Sequence, residues 1–343
     1  MNNKDIEQII KLSDLNKESL NKKNILITGA LGFIGKYILS SLNEYKKNNN
    51  VDFNIVALDN FITSDKKFLN KNHDIEFIEH DIIKPFFHDK TFDYIICLAG
   101  IASPFYYNKF PLETLNVSIN GLMNMFTVKH HSESKFIFFS SSEIYGDPSI
   151  ENIPTKENYN GNVTSIGPRS CYDESKRVGE TICYIQNKNF NKNTTIIRPF
   201  NVYGPGMTLK DYRIIPNITR SIVDNELLEI YDTGLQTRTY CYVVDALNGF
   251  LRAIFEKKEN FSVYNIGNDQ GEISVLELVK TAEKVVNKKI NYKLTKYPKE
   301  YPFDQPQRRC PNLSKAKKKL GYIPQYSLEE GLNNHLTWSL NHL

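Results

Sequence analysis

The stretch Asn24-Ile-Leu-Ile-Thr-Gly-Ala-Leu-Gly-Phe-Ile-Gly35 decides the fold. The β-rich run Asn24–Thr28 leads into glycines at 29, 32 and 35, and the amphipathic helical segment Ile34–Tyr45 follows. Glycine lets the backbone approach a bulky anion, and a helix that starts there points its positive end at it. The spacing is GxxGxxG, a variant of the dinucleotide-binding GxGxxG. Its setting between a strand and a helix is what makes it informative.

Outward from this unit, strand candidates recur at Asn54–Leu58, Glu76–His80, Asp93–Leu98, Lys135–Ser140 and Thr194–Arg198. Most are almost continuously apolar, as strands buried on both faces of a parallel sheet must be. Helical patterns at Leu112–Lys129 and Tyr172–Gln186 lie between them. This alternation predicts an α/β fold, a doubly wound parallel (Rossmann) sheet over residues 24–200. After Pro199 the rhythm loosens into turn-rich segments such as Tyr203-Gly-Pro-Gly206. That predicts a smaller C-terminal α/β substrate domain over 201–343, with segments near 241–267 (Asp245–Phe255 and Val263–Ile266) returning to the first. A cleft between the two is the natural ligand site. Residues 1–23 read as a helical lead-in without chemistry, with Ser13 and Asn16 as candidate caps and Ile6, Ile9 and Ile10 as an apolar face.

The 343 residues carry a net charge of +4, and the lysines at 315–319 read as solvated surface rather than a polyanion patch. No nucleic-acid partner is expected. The cysteines Cys97, Cys171, Cys183, Cys241 and Cys310 are odd in number and widely spaced, which argues against a disulfide framework or a metal site and suits a reducing cytoplasm. No apolar run approaches the roughly 18 residues that span a bilayer.

Leu58-Asp59-Asn60 ends the second strand. A carboxylate there accepts hydrogen bonds from ribose hydroxyls and repels a 2′-phosphate, which favours NAD over NADP; a turn or cap role is the plainer alternative. Phe33 and Ile34 in the glycine turn, Asp81 and Ile82 after the third strand, and Leu98 and Ala99 after the fourth complete the candidate cofactor set, with Tyr172 and Lys176. These last two stand at i and i+4 in Ser170-Cys-Tyr-Asp-Glu-Ser-Lys176. On a helix they share a face, and the ammonium favours phenolate, so the tyrosine can take a proton from a hydroxyl as hydride leaves. Alone, such a pair is common. Phe139-Ser-Ser-Ser-Glu-Ile-Tyr-Gly146 supports it by placing Ser141, Ser142 and Glu143 at the carboxyl end of the fifth strand, although serines there also serve as caps.

Together these residues resemble the extended short-chain dehydrogenase/reductase family, and within it the UDP-glucuronate decarboxylase (UDP-xylose synthase) branch. The matching stretches are Ser142-Glu-Ile-Tyr-Gly-Asp-Pro148, Gly161-Asn-Val, Gly167-Pro-Arg-Ser-Cys-Tyr-Asp-Glu-Ser-Lys-Arg177, Arg198-Pro-Phe-Asn-Val-Tyr-Gly-Pro205, Gln236-Thr-Arg238 and Pro306-Gln-Arg-Arg309. The resemblance implies a lyase that uses NAD. Tyr172 deprotonates the sugar C4 hydroxyl, Lys176 tunes it, and hydride passes to NAD. The C4 ketone so formed is a β-keto acid that loses carbon dioxide, and the hydride then returns. Ser142 bonds near C4, and Glu143 assists at C5 or the carboxylate. Arg309 grips the carboxylate, Arg238 the diphosphate and Asn201 the nucleotide sugar, with Arg169 and Ser103 completing the substrate set. A homodimer built from paired helices is implied as well.

The chain departs from that pattern at Leu98-Ala-Gly-Ile-Ala-Ser-Pro104, at Tyr106-Tyr107 and in the extension before Asn24. These differences bear on the sugar's identity more than on the chemistry. Ser142 stands where dehydratases of the family carry Asp, and Glu143 is generally missing from simple C4 epimerases. Epimerisation of a uronic acid, oxidation stopping at the 4-keto sugar and 4,6-dehydration remain alternatives. A non-catalytic dinucleotide sensor is the remote one, since such proteins tend to lose the Tyr/Lys pair.

Overall fold

The computed structural model describes residues 1–343 except 72–73, 210, 212 and 298–305, with the side chains of 70–71 also outside the described set. β1 (Asn24–Thr28), β2 (Asn54–Asp59), β3 (Glu76–Glu79), β4 (Phe92–Cys97), β5 (His130–Phe139) and β6 (Asn193–Pro199) lie in the order β6-β5-β4-β1-β2-β3, and an edge strand, Phe261–Ile266, joins β6. Every pairing in this seven-stranded sheet is parallel. The apolar runs are explained by two cores, one on each face. Ile25 and Ile27 of β1 enter one, and Leu26 enters the other; on β4, Tyr94 and Ile96 oppose Ile95 and Cys97 in the same way. The strand order reverses between β1 and β4, where an open α/β sheet presents its ligand crevice. Thr28 is in register with both Leu58 and Cys97, so Gly29, Asp59 and Leu98 leave the sheet at one level.

Two elements differ most from the sequence expectation. β5 starts at His130, and its pairing with β4 shifts register between Phe92 and Tyr94. It ends at Phe139, so Ser140 stands outside the strand. The segment expected as one helix over Leu112–Lys129 is α-helical at Pro111–Asn116, widens into a π turn at Val117–Gly121 and resumes at Leu122–Met125. There the chain crosses Ile82 so closely that a Cβ on Gly121 would lie 2.8 Å from its side chain.

Beyond Pro199 the helix Ile214–Val223 is followed by the parallel pair Leu228–Tyr231 and Tyr292–Thr295 and by a small sheet of Ile273–Ser274, Thr237–Arg238 and Arg308–Arg309. The helix Val243–Phe255 is buried along most of its length and packs on β6 and the edge strand. The N-terminal helix Asn3–Leu12 packs on Phe33–Asn49 and Val243–Phe255, with Ile6 and Ile9 in the main core. Asn2 caps it, Ser13 sits at its C-terminal end and Asn16 caps the short helix Lys17–Leu20.

Candidate active site

At Gly29 φ is +63°, and a Cβ would lie 2.6 Å from Ala99 Cα; at Gly35 it would lie 2.5 Å from the Ala30 carbonyl oxygen. Side chains are therefore excluded where β1 turns into the helix Phe33–Asn49. Gly32 begins that helix with no side-chain cap, so its first N–H groups face the crevice with the positive end of the helix dipole. This is a cradle for a phosphate ester. Asp59 ties the cradle down. Its carboxylate accepts the Leu31 N–H at 2.8 Å, the Phe61 N–H at 3.0 Å and the Ser64 hydroxyl at 2.7 Å. A carboxylate offers about four lone-pair positions, so acceptor capacity remains for a ribose hydroxyl. Asn60, Asp81, Ile82, Leu98 and Ala99 line the same cavity. Those residues, with the glycines, fit the adenosine and pyrophosphate parts of a dinucleotide.

A second, larger cavity shares Gly29, Gly32, Leu98 and Gly100 with the first and continues past Phe33, Ile34 and Gly35 toward the C-terminal segments. Into it project Ser103, Ser142, Glu143, Arg169, Tyr172, Lys176, Asn201, Arg238 and Arg309. The structure thus brings together, along one cleft, residues that lie more than two hundred positions apart in the chain.

Tyr172 and Lys176 lie on one buried face of the helix Ser170–Phe190. Lys176 Nζ donates to the Phe139 carbonyl at 2.9 Å and stands 5.9 Å from the Tyr172 ring centre. Burial pushes Lys176 down to about 8, against the pull of Cys97 and Glu180. Burial pushes the Tyr172 phenol up, and a hydrogen bond with Ser141, then Arg213 and Arg169, act to lower it. The Tyr107 ring stacks on Tyr172 with centroids 5.5 Å apart and planes 13° from parallel.

The phenol's hydroxyl neighbour is therefore Ser141, whereas the sequence reading gave the role beside C4 to Ser142. Three serines in a row cannot be told apart until the strand end is known. β5 stops at Phe139, so Ser141 caps the turn Ser142–Tyr145 by accepting the Glu143 N–H at 3.2 Å. Ser142 also borders the cavity, from within that turn.

Glu143 is clamped. Arg309 reaches its two oxygens with both terminal nitrogens, Nη2 at 2.8 Å from Oε2, and Arg169 pairs with it from the other side. Arg169 also meets Asp173, Nε to Oδ2 at 3.2 Å. Arg309 and Arg238 stand opposite one another in the parallel pairing of their short strands. Burial and the neighbouring arginines push them down, Arg309 to about 9 and Arg238 to about 10. Arg238 is braced by the Thr237, Pro306 and Gln307 carbonyls. Asn201 donates to the Thr239 carbonyl at 2.8 Å. The Ser103 hydroxyl and Arg309 Nε are buried without a hydrogen-bond partner among the described residues. Sequence reasoning missed Arg213 and Asp211, which pair at 2.6 Å on the cavity wall. They lie in a segment with no helical or strand period, just before the helix Ile214–Val223.

Known proteins resemble this chain over most of its length. The family model described as "NAD dependent epimerase/dehydratase family" matches residues 25–267. UDP-glucuronic acid decarboxylase 3 of Arabidopsis thaliana is 37% identical over 311 residues, covering 90% of this chain and 86% of that protein. UDP-glucuronic acid decarboxylase 1 of Xenopus tropicalis is 35% identical over 317 residues, covering 91% and 71%. Among solved structures, the UDP-glucuronic acid 4-epimerase of Bacillus cereus in complex with UDP-glucuronic acid and NAD superposes with a TM-score of 0.73 at 27% identity, covering 92% of this chain and 98% of that one.

Proposed function

The chain belongs to the NAD-dependent epimerase/dehydratase family, and from that premise we propose that it decarboxylates UDP-glucuronate through a 4-keto intermediate. The observation that carries this reading is the crowding of arginines on one cavity. Arg169, Arg238 and Arg309 converge there, two of them side by side in register. Like charges placed opposite one another are unfavourable unless an anion answers them. Glu143 and Asp173 answer in part. A ligand carrying both a diphosphate and a carboxylate supplies the rest, and a guanidinium fork suits each group.

NAD, when bound, supplies a hydride acceptor that also gives the hydride back. The glycine turn, Asp59, Asn60, Asp81, Ile82, Leu98 and Ala99 are the residues that would hold it. Tyr172, with Lys176 beneath and Ser141 beside its hydroxyl, takes the proton of the C4 hydroxyl. The resulting ketone, β to the carboxylate, accepts the electron pair released when carbon dioxide leaves. Arg309 holds the carboxylate until that step, and Glu143 handles the proton at C5. The greater identity to the decarboxylases than to the 4-epimerase favours loss of carbon dioxide over epimerisation.

Incubation of the protein with NAD and a panel of UDP-sugars, read by mass, tests the reading. UDP-glucuronate should lose carbon dioxide and yield a UDP-pentose. An unchanged mass with altered stereochemistry would replace decarboxylase by epimerase.

The protein is proposed to work as a cytoplasmic homodimer. No described helix is long and apolar enough to cross a membrane, and the five cysteines are free thiols, in keeping with a reducing compartment. Leu112, Met123 and Ile185 expose apolar side chains on helical segments that pack together, and Gln186 beside Ile185 reaches Met123 Sδ at 3.9 Å. Such a patch suits a second copy of the chain.

A further inference from the structure

A buried polar chain runs behind the site. Ser140, which precedes Ser141, donates its hydroxyl to Glu180 Oε1 at 2.5 Å. Arg198 of β6 grips the same carboxylate with two nitrogens, Nε to Oε1 at 2.8 Å and Nη2 to Oε2 at 2.6 Å. Its remaining nitrogen donates to the Tyr145 hydroxyl at 2.5 Å and to the Glu157 carbonyl at 2.8 Å. The Tyr145 hydroxyl donates to Asn265 Oδ1 at 2.8 Å. The Asn265 amide donates to the Thr155 carbonyl, and the Thr155 N–H donates to the Cys310 carbonyl, each at 2.9 Å.

Neither Glu180 nor Arg198 borders the cavity. Yet every end of the chain meets a segment that carries the site. Ser140 and Tyr145 flank Ser141–Glu143, Glu180 lies one helical turn beyond Lys176, and Cys310 follows Arg309. A buried ion pair adds little net stability, because desolvation offsets the attraction; what a two-pronged pair does fix is geometry.

We infer that Glu180 and Arg198 are positioning residues for the reaction: the pair holds the Ser141–Glu143 turn, the Tyr172–Lys176 face and the Arg309 strand in mutual register. Glu180 has a second role toward Lys176. The groups facing that ammonium are Cys97 from β4, Tyr172 and Glu180 from its own helix and the Phe139 carbonyl from β5. Glu180 is the carboxylate among them, and it favours the charged amine that the tyrosine requires. The inference rests on the hydride-transfer chemistry proposed above, whichever UDP-sugar undergoes it.

The test uses the full chain with NAD bound. Glu180→Gln keeps the shape and an acceptor for Ser140 but removes the charge. Its kcat should fall about 100-fold with KM nearly unchanged, the size of loss that small misplacements cause. The alkaline limb of its kcat profile should move to lower pH, since Lys176 then gives up its proton more readily. Arg198→Lys keeps the charge without the fork, so it should lose kcat while leaving that limb in place. If Glu180→Gln does not fold, Ser140→Ala removes one hydroxyl from the chain and should lower kcat about tenfold in a protein that still folds, at a melting temperature reduced by the loss of one hydrogen bond. Wild-type kcat and an unmoved limb in the folded Glu180→Gln protein, or wild-type kcat in Ser140→Ala, would overturn the inference. A wild-type chain inert toward UDP-glucuronate would sink the decarboxylase reading instead; the variants are then compared by NADH formation on the UDP-sugar that reduces the bound NAD.

Discussion

Arg309 closes a two-pronged ion pair on Glu143, Nη2 lying 2.8 Å from Oε2, and so fills the guanidinium fork that a substrate carboxylate would use. Glu143 thus holds two buried arginines in place, and the substrate must share them or move it aside.

Glu143→Gln should expose that competition. It leaves Arg309 and Arg169 without their carboxylate, and breaking a buried pair costs about 3 kcal/mol. UDP-glucuronate then supplies the missing charge. Its stabilisation of the variant in thermal melts should exceed its stabilisation of the wild type, and UDP-glucose should show no such excess. Turnover should drop about 100-fold or more as the proton handling proposed at C5 is lost. Equal melting shifts with both sugars would detach Glu143 from carboxylate binding.

Tyr172→Phe removes the phenol while keeping the ring that stacks on Tyr107. NAD should remain bound, and kcat should fall about 10³-fold, within the range for loss of a positioned acid–base group. In the wild type, burial holds Lys176 near 8. The ammonium is present below that pH and is lost as pH rises through it, so kcat should decline on the alkaline side from about 8. A profile flat to pH 10 would separate Lys176 from catalysis.

Much of this architecture was legible because period and punctuation agree locally. Asn24–Gly35 contains its own strand, turn and helix start, and β1, β2, β4 and β6 are apolar enough to be recognised as buried on both faces. Leu112–Lys129 failed as one helix because it widens into a π turn where Gly121 crosses Ile82, a contact about forty residues back along the chain and invisible to a helical period. Which of Ser141 and Ser142 lies beside the Tyr172 hydroxyl turns on one residue of strand length, which the sequence does not show. Arg213 was missed because its segment has no period at all. The Glu143–Arg309 pair joins positions that share no local pattern, and a reading that assigned each a separate task could not see that they hold each other.

Asp59 can be tested through cofactor retention. Its carboxylate anchors the glycine turn through the Leu31 N–H and the following loop through Ser64. Asp59→Ala removes both the anchor and the proposed acceptor for the ribose. NAD recovered from the denatured, purified variant should fall well below the wild-type amount, and the dissociation constant should rise by about 10-fold or more, the loss of a charge-assisted hydrogen bond. Undiminished retention would leave Asp59 a turn residue.

Asp5 links the N-terminal helix to the body of the fold. Its two oxygens each lie 2.9 Å from the Tyr242 hydroxyl, and burial pushes the carboxyl up to about 6 although that hydrogen bond pulls it down. A raised pKa means the folded state holds the proton between about 4 and 6, where the unfolded chain has released it. Stability should therefore decline as pH rises through that window and stay lower above it. Asp5→Asn keeps an acceptor for Tyr242 without the charge. It should gain about 1–2 kcal/mol at pH 7, seen as a higher melting temperature, and the gain should vanish near pH 4. A variant less stable than wild type at pH 7 would show that the ionised form is the favoured one.

The proposed dimer face can be broken without touching the cleft. Ile185 is exposed on the helix Ser170–Phe190, and neither it nor its neighbour Gln186 borders the cavity. On a monomer, Ile185→Asp is a surface substitution and should change stability by no more than about 0.5 kcal/mol. In a dimer it places a charge in an apolar contact that excludes water, and desolvating it there is costly. Sedimentation should then show the wild type at twice the chain mass and the variant at the chain mass, with the variant's melting temperature becoming independent of protein concentration. A wild type already at 39.7 kDa would remove the dimer outright. A variant that stays dimeric would move the interface to another face of the chain.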